Sequence, residues 1–222
     1  MPDSLINVNG DSVQTLEILF LTTVIALLPS MLIMMTSFTR IIISLSFLRT
    51  AMGTSQNPPN TVLIGIALFL TLFIMNPVLT QIQQTAYEPY TRQEITQEEA
   101  VDRASVPLKE FMLRNTESSS LTLFCDLAGV DKPATDEEAM ELSMRVIIPS
   151  YMTSELKAAF QIGFFLYIPF MLIDIVVSST LMSMGMIMLP PAMISMPFKL
   201  LLFITVDGWQ LLFATLAQGF PP

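Results

Sequence analysis

From Phe164 to Pro191 the chain reads FFLYIPFMLIDIVVSSTLMSMGMIMLPP, an apolar run that holds one carboxylate, Asp174, and ends in methionines against a Pro-Pro stop. A stretch of this length and character is suited to hydrocarbon. An ionisable side chain inside it is costly to bury, so Asp174 marks a structural or functional centre.

Composition extends the constraint to the whole chain. Its 222 residues are 13% charged with a mean hydropathy of +0.62, against roughly a quarter charged in ordinary globular domains. There is no histidine and a single cysteine, Cys125. Disulfides within the chain, histidine–metal sites and Ser-His or Cys-His catalysis are thereby excluded, and no cofactor is expected. An intramembrane enzyme is disfavoured for want of any nucleophile–base pair. The net charge of -9 argues against nucleic acid, whose phosphates need clustered Lys and Arg.

Four apolar blocks run along the sequence: Ile18 to Phe38, Thr61 to Ile82, Ala158 to Met182 interrupted by Asp174, and Leu200 to Phe220 interrupted by Asp207. They predict an all-α, membrane-associated protein built from two long, kinked helical hairpins. The turns fall at Asn57-Pro58-Pro59-Asn60 and Pro190-Pro191, because proline cannot continue a helix. The expected divisions are an N-terminal tail over 1–15, a first hairpin over 16–82, an acidic helical domain over 83–157 and a second hairpin over 158–222. The acidic domain carries seven basic and fourteen acidic residues, whereas the loop after the first block carries Arg40 and Arg49 and no acid. Positive residues mark the cytoplasmic side. Both Pro-Pro turns, the second near Lys199, then face the cytoplasm, with the acidic domain and both termini outside. The first block lacks the basic flank and cleavage site of a signal peptide, so a leader preceding this sequence is expected.

A helix from Leu16 to Thr50 would reach about 50 Å against a hydrocarbon core of about 30 Å. Kinks at Pro29, Pro77 and Pro169, or packing against other protein, would absorb the excess. Counting outward from Pro190-Pro191 places Asp174 and Asp207 at nearly equal distances, and Arg40 and Asn76-Pro77 straddle Pro58-Pro59 in the same way. Two carboxylates at one depth need a compensating charge. Arg40 is therefore expected to pair with Asp174 or Asp207, within the chain or between copies.

In the acidic domain, Thr96 with Glu99 and Thr135 with Glu138 have capping-box spacing. Ser105-Val106-Pro107 offers a further helix start and Gly129 a stop. Val106, Phe111, Leu113, Leu121, Phe124 and Leu127 supply a small satellite core. Cys125 reads as a small buried hydrophobe, its pKa raised if anything by Asp126. Met182, Met184, Met186 and Met188 have flexible thioether chains that either fill gaps and meet lipid or form a deformable seal. Asp174 is open to a structural or a proton-relay role, but no second acid, histidine or lysine follows it at helical spacing in its segment.

Three long motifs narrow these choices. PFMLIDIVVSSTLMSMGMIMLPP at Pro169 to Pro191, MPFKLLLFITVDGWQLL at Met196 to Leu212 and LPSMLIMMTSFTRIIISLSFLRTAMGTSQNPPN at Leu28 to Asn60 together resemble the FliP/SctR family of type III secretion export gates. The VDGWQLL ending resembles the flagellar branch more than the injectisome branch. The resemblance implies a conduit and not an enzyme: five copies in a spiral with FliR and several FliQ subunits, passing unfolded flagellar proteins out of the cytoplasm. It further implies FlhA and FlhB as partners, contact with membrane lipid, and a place in the bacterial inner membrane and on its periplasmic side within the flagellar basal body. The family's loop of three methionines falls on Met186, Ile187 and Met188, with Met184 beside it, and is expected to be a gasket closing the pore. Isoleucine at the middle position is β-branched and stiffer. Arg40, Asp174, Lys199 and Asp207 are expected to be structural or assembly charges. The rival readings are a proton-coupled small-molecule transporter with Asp174 and Asp207 as carriers, and a scaffold role for the acidic domain.

Overall fold

A computed structural model of the chain describes residues 6–8, 11–13, 15–54, 56–186 and 188–220. The tail contributes two three-residue antiparallel strands, β1 (Ile6–Val8) and β2 (Asp11–Val13). The elements described after them are helices: α1 (Thr15–Met34), α2 (Phe38–Met52), α3 (Asn60–Ile82), a π turn at Gln83–Tyr87, α4 (Glu88–Thr91), α5 (Gln97–Arg114), α6 (Ser118–Ala128), α7 (Asp136–Glu141), α8 (Met144–Ser183), α9 (Pro191–Thr205) and α10 (Gly208–Gln218). The chain is an all-α protein of membrane type. Two described stretches are long and apolar enough to cross a bilayer, Asn60–Thr91 and Met144–Ser183, and α9 with α10 makes a third if the bent pair is one span. In hydrocarbon only such elements, with every backbone group bonded internally, can span.

Both Pro-Pro turns lie where expected. After α2 the backbone of Gly53 turns left-handed and α3 resumes at Asn60, and Pro191 opens α9. The apolar blocks are more broken than composition indicated. The first divides at Met35–Ser37 into α1 and α2, and the last divides at Val206–Asp207, where α9 and α10 meet at 63°. Proline causes neither break, and Pro29, Pro77, Pro149 and Pro169 all sit inside helices.

The expected domain limits fall within helices. Helix α3 passes through the π turn into α4 beyond residue 83, and α8 crosses residue 157 without interruption. At 40 residues α8 is about 60 Å long, twice the hydrocarbon thickness. Its first part belongs to the acidic domain and its second to the apolar hairpin.

Helix α2 packs along both α3 and α8. Contacts between α2 and α8 climb together, from Arg40 with Glu155 to Phe47 with Phe160 and Tyr167, so the two helices run parallel. Gly163 permits the approach: a Cβ there would stand 2.4 Å from Cδ2 of the Phe47 ring. One core gathers Ile41, Leu45, Leu48 and Ala67 with Phe170 and Phe203. A second joins Met75 and Val78 of α3 to Phe111 and Met112 of α5 and Ile147 and Tyr151 of α8. The apolar residues of the acidic domain thus join a core shared with the long helices. Phe111 enters the shared core, while Val106 and Leu127 are exposed.

Local signals in that domain fared unevenly. Thr96 and Glu99 form a reciprocal capping box at the start of α5. Thr135 accepts from the Glu138 amide, but the Glu138 carboxylate takes the Ala134 amide instead of that of Thr135. Gly129 ends α6 in the left-handed conformation. Ser105-Val106-Pro107 starts no helix and lies inside α5. Lys109 donates to the carbonyls of Met140 and Leu142, satisfying the exposed end of α7. Cys125 is buried, and burial, with Asp126 adding to it, pushes its thiol up.

Candidate functional site

Among the described residues, the most exposed large hydrophobic side chain, Met188, lies in the turn between α8 and α9. Helix α8 ends in a Schellman arrangement: Gly185, at φ +73, donates to Met182, and the Met186 amide donates to the Leu181 carbonyl at 2.9 Å. The left-handed residue is the reason a glycine interrupts the methionines, since a side chain there would be strained. Pro190 and Pro191 then set the start of α9, Pro191 taking the first helical position, where no amide is needed.

The described side chains of this short turn are exposed. Met188 is 97% exposed and Met186 42% exposed, and Met182 and Met184 are also exposed. Ile187 lies outside the described residues. Behind the turn, Leu172, Val176, Leu181, Met184, Ile194 and Phe198 line an apolar groove of about 560 Å³ between α8 and α9. Unbranched thioether chains over such a groove can rearrange at low cost. Hydroxyl groups at the end of α8 are turned inward to the backbone, Ser183 donating to the Thr180 carbonyl.

The charged residues read from sequence are drawn into two separate clusters. Asp174 accepts from Lys199 Nζ at 2.7 Å and from Ser195 Oγ at 2.6 Å, and Lys199 also donates to the Ala51 carbonyl at 3.1 Å. This cluster ties α8, α9 and the end of α2. Contrary to the expected pairing, Arg40 meets neither Asp174 nor Asp207 within this chain. Its Nε donates to Glu155 Oε2 at 3.0 Å, its Nη2 to Glu155 Oε1, and its Nη1 to the Gly219 carbonyl at 2.8 Å. Asp207 is the corner between α9 and α10, in the left-handed conformation with φ 50 and ψ 47. The charge that compensates Asp174 within the chain is Lys199, not Arg40.

Glu155, Ser195 and Gly219 were not singled out from the sequence. In sequence Glu155 falls in the acidic domain, just before the apolar residues become continuous at Ala158. The available signal was its position one helical turn beyond Tyr151 in a segment that α8 carries unbroken into the apolar run. Among the described residues no group of three or more carboxylates, cysteines or histidines is placed to hold a metal ion.

Long apolar helices whose buried charges are paired, with a methionine turn left exposed, describe an all-α protein of membrane type. The FliP family model matches residues 21–216. The flagellar biosynthetic protein FliP of Pectobacterium carotovorum subsp. carotovorum is 54% identical over 94% of this chain and 79% of its own length. That of Bacillus subtilis (strain 168) is 50% identical over 93% and 92% respectively, and that of Aquifex aeolicus (strain VF5) 46% identical over 95% and 88%. The chain belongs to the FliP family.

Proposed function

We propose that this chain is a core subunit of the flagellar type III protein export gate. Several copies, five in the arrangement that the family resemblance implies, assemble with FliQ and FliR around a pore for unfolded flagellar proteins, with FlhA and FlhB as further components of the apparatus. The complex sits in the inner membrane and on its periplasmic side, and the chain acts as a conduit without catalysing a reaction. The names of the relatives reported above, flagellar biosynthetic proteins, support the pathway.

The observation that carries the gate reading is the exposure of the methionine turn, above all of Met188. A ring of such turns would exclude ions by dewetting and still part around an unfolded polypeptide, because methionine rotamers interconvert cheaply. Met184, Met186, Ile187 and Met188 form the seal. The pairing of Asp174 with Lys199 and Ser195 favours a structural role for that carboxylate over a proton carrier. Exposed Phe69, Phe73, Phe165 and Val176 on the long helices suit contact with further subunits and lipid.

Two measurements test this reading. Native mass spectrometry of the chain co-expressed with FliQ and FliR should give five copies in one complex; a lone monomer or dimer overturns the assembly. In cells carrying that complex, Met186→Ala with Met188→Ala should leak ions before export fails. Unchanged ion resistance would remove the gasket.

A further inference from the structure

The match to the FliP family model ends at residue 216, yet beyond it Phe220 is buried in the core and the exposed Gly219 is tied down through its carbonyl. Phe220 is 6% exposed and belongs to the buried cluster that joins the acidic domain to the long helices. Its ring stacks on Phe111 of α5, with centroids 6.0 Å apart and planes 18° apart. The Arg40 guanidinium of α2 lies over the same ring, 3.9 Å from its centroid. That guanidinium also donates to the Gly219 carbonyl at 2.8 Å, while its other edge is taken up by Glu155 of α8. A planar guanidinium can fork onto a carboxylate, donate to a carbonyl and stack on an aromatic face at once; an ammonium has neither the fork nor the flat face.

We propose that Gly219–Phe220 is an intramolecular latch, and that its seat, formed by Arg40, Glu155, Phe111 and Tyr151, is a binding site for this terminal aromatic residue and the carbonyl before it. Tyr151 completes the seat by packing edge-on against Phe111 at 6.0 Å. The latch matters because of what lies at the other end of α10. There the helical ladder is broken at Asp207 and the axis turns by 63°, so α9 does not by itself fix the direction of α10. Between the corner and the latch α10 packs against α3 and α9 through the buried Leu212 and Leu216; released at the latch, it loosens from its C-terminal end. The proposal is independent of the export reading, since it concerns how this chain closes on itself.

Hydrogen exchange on the full chain in detergent tests it, comparing wild type with a chain ending at Gln218, with Phe220→Leu and with Arg40→Lys. Removing the terminal residues should accelerate exchange of the α10 amides about tenfold or more, leaving α8 amides from Met171 to Thr180 unchanged. Phe220→Leu keeps an apolar side chain but loses the stacked face, and should give a smaller acceleration in the same helix. Arg40→Lys keeps the charge opposite Glu155 and should loosen α10 through loss of the fork. If α10 in the shortened chain exchanges as in wild type, there is no latch. Uniform acceleration across all helices also overturns it, making Phe220 an ordinary core residue.

Discussion

Lys199 Nζ lies 2.7 Å from Asp174 Oδ2, and the pair is unequally buried: the lysine side chain is 7% exposed and the aspartate side chain 41%. This asymmetry orders the effects of mutation. Asp174→Ala leaves an almost buried ammonium with only the Ala51 carbonyl and costs about 3 kcal/mol, as expected for an uncompensated buried charge. Lys199→Met leaves a half-exposed carboxylate that water and Ser195 can still solvate, and costs only about 1 kcal/mol. The double variant should be no less stable than Asp174→Ala alone, because it removes the stranded cation. Thermal unfolding of the detergent-solubilised chain checks the order; a larger loss for Lys199→Met would reverse the argument.

Arg40 and Glu155 differ from that pair in being buried together. Either Arg40→Ala or Glu155→Ala should destabilise by about 3–5 kcal/mol, since each leaves the other charge in a core without a partner. The two losses should be strongly non-additive, whereas Arg40→Ala and Asp174→Ala should add within about 0.5 kcal/mol, as sites without shared partners do. A double-mutant cycle on unfolding midpoints decides between this pairing and the Arg40–Asp174 pairing that sequence symmetry favoured.

The difference between those two pairings shows what the sequence could and could not convey. Pro58-Pro59, Pro190-Pro191, Gly129 and the Thr96–Glu99 box were legible because each acts within a few residues: proline lacks an amide, glycine turns left-handed, and a hydroxyl caps the amide three positions on. The helical class and the methionine turn were legible from composition and from the motifs shared with the family. Charge pairing was not, because it depends on how helices are placed side by side. Symmetry about a turn describes a hairpin of neighbours, whereas Arg40 finds its acid on α8, which runs parallel to α2 and lies far away in sequence. The break at Asp207 was hidden for a different reason. Its residue is neither glycine nor proline, and aspartate is one of the few others that tolerates the left-handed region.

The corner at Asp207 makes a prediction that separates geometry from charge. With φ 50 and ψ 47, the position favours glycine, asparagine and aspartate, and a β-branched residue there costs about 1–2 kcal/mol or more. Asp207→Asn and Asp207→Gly should therefore leave both the unfolding temperature and flagellar export close to wild type, and Asp207→Val should lower both. Loss of export in Asp207→Asn with unchanged stability would instead assign the carboxylate itself a role, as a proton carrier requires.

In the acidic domain, Lys157 places its ammonium 2.6 Å from both carboxylate oxygens of Glu117, whose own amide donates to Ser154. Hydrogen bonding to Lys157 is the main cause that holds the Glu117 carboxyl below its ordinary value, against a smaller opposing effect of burial. The sign of the pH dependence follows. A carboxyl whose pKa is lower in the folded than in the unfolded chain binds fewer protons when folded, so its stabilising contribution is fully present above the unfolded value, near 4.3. It is lost as pH falls through the lower, folded value. Wild type and Lys157→Ala should thus differ in stability at neutral pH and converge under acid, with the gap narrowing in high salt because both groups are half-exposed. Titration of the Glu117 carboxyl by NMR provides the independent check: its midpoint should rise in Lys157→Ala, and an unmoved midpoint would mean that the two side chains do not interact in solution.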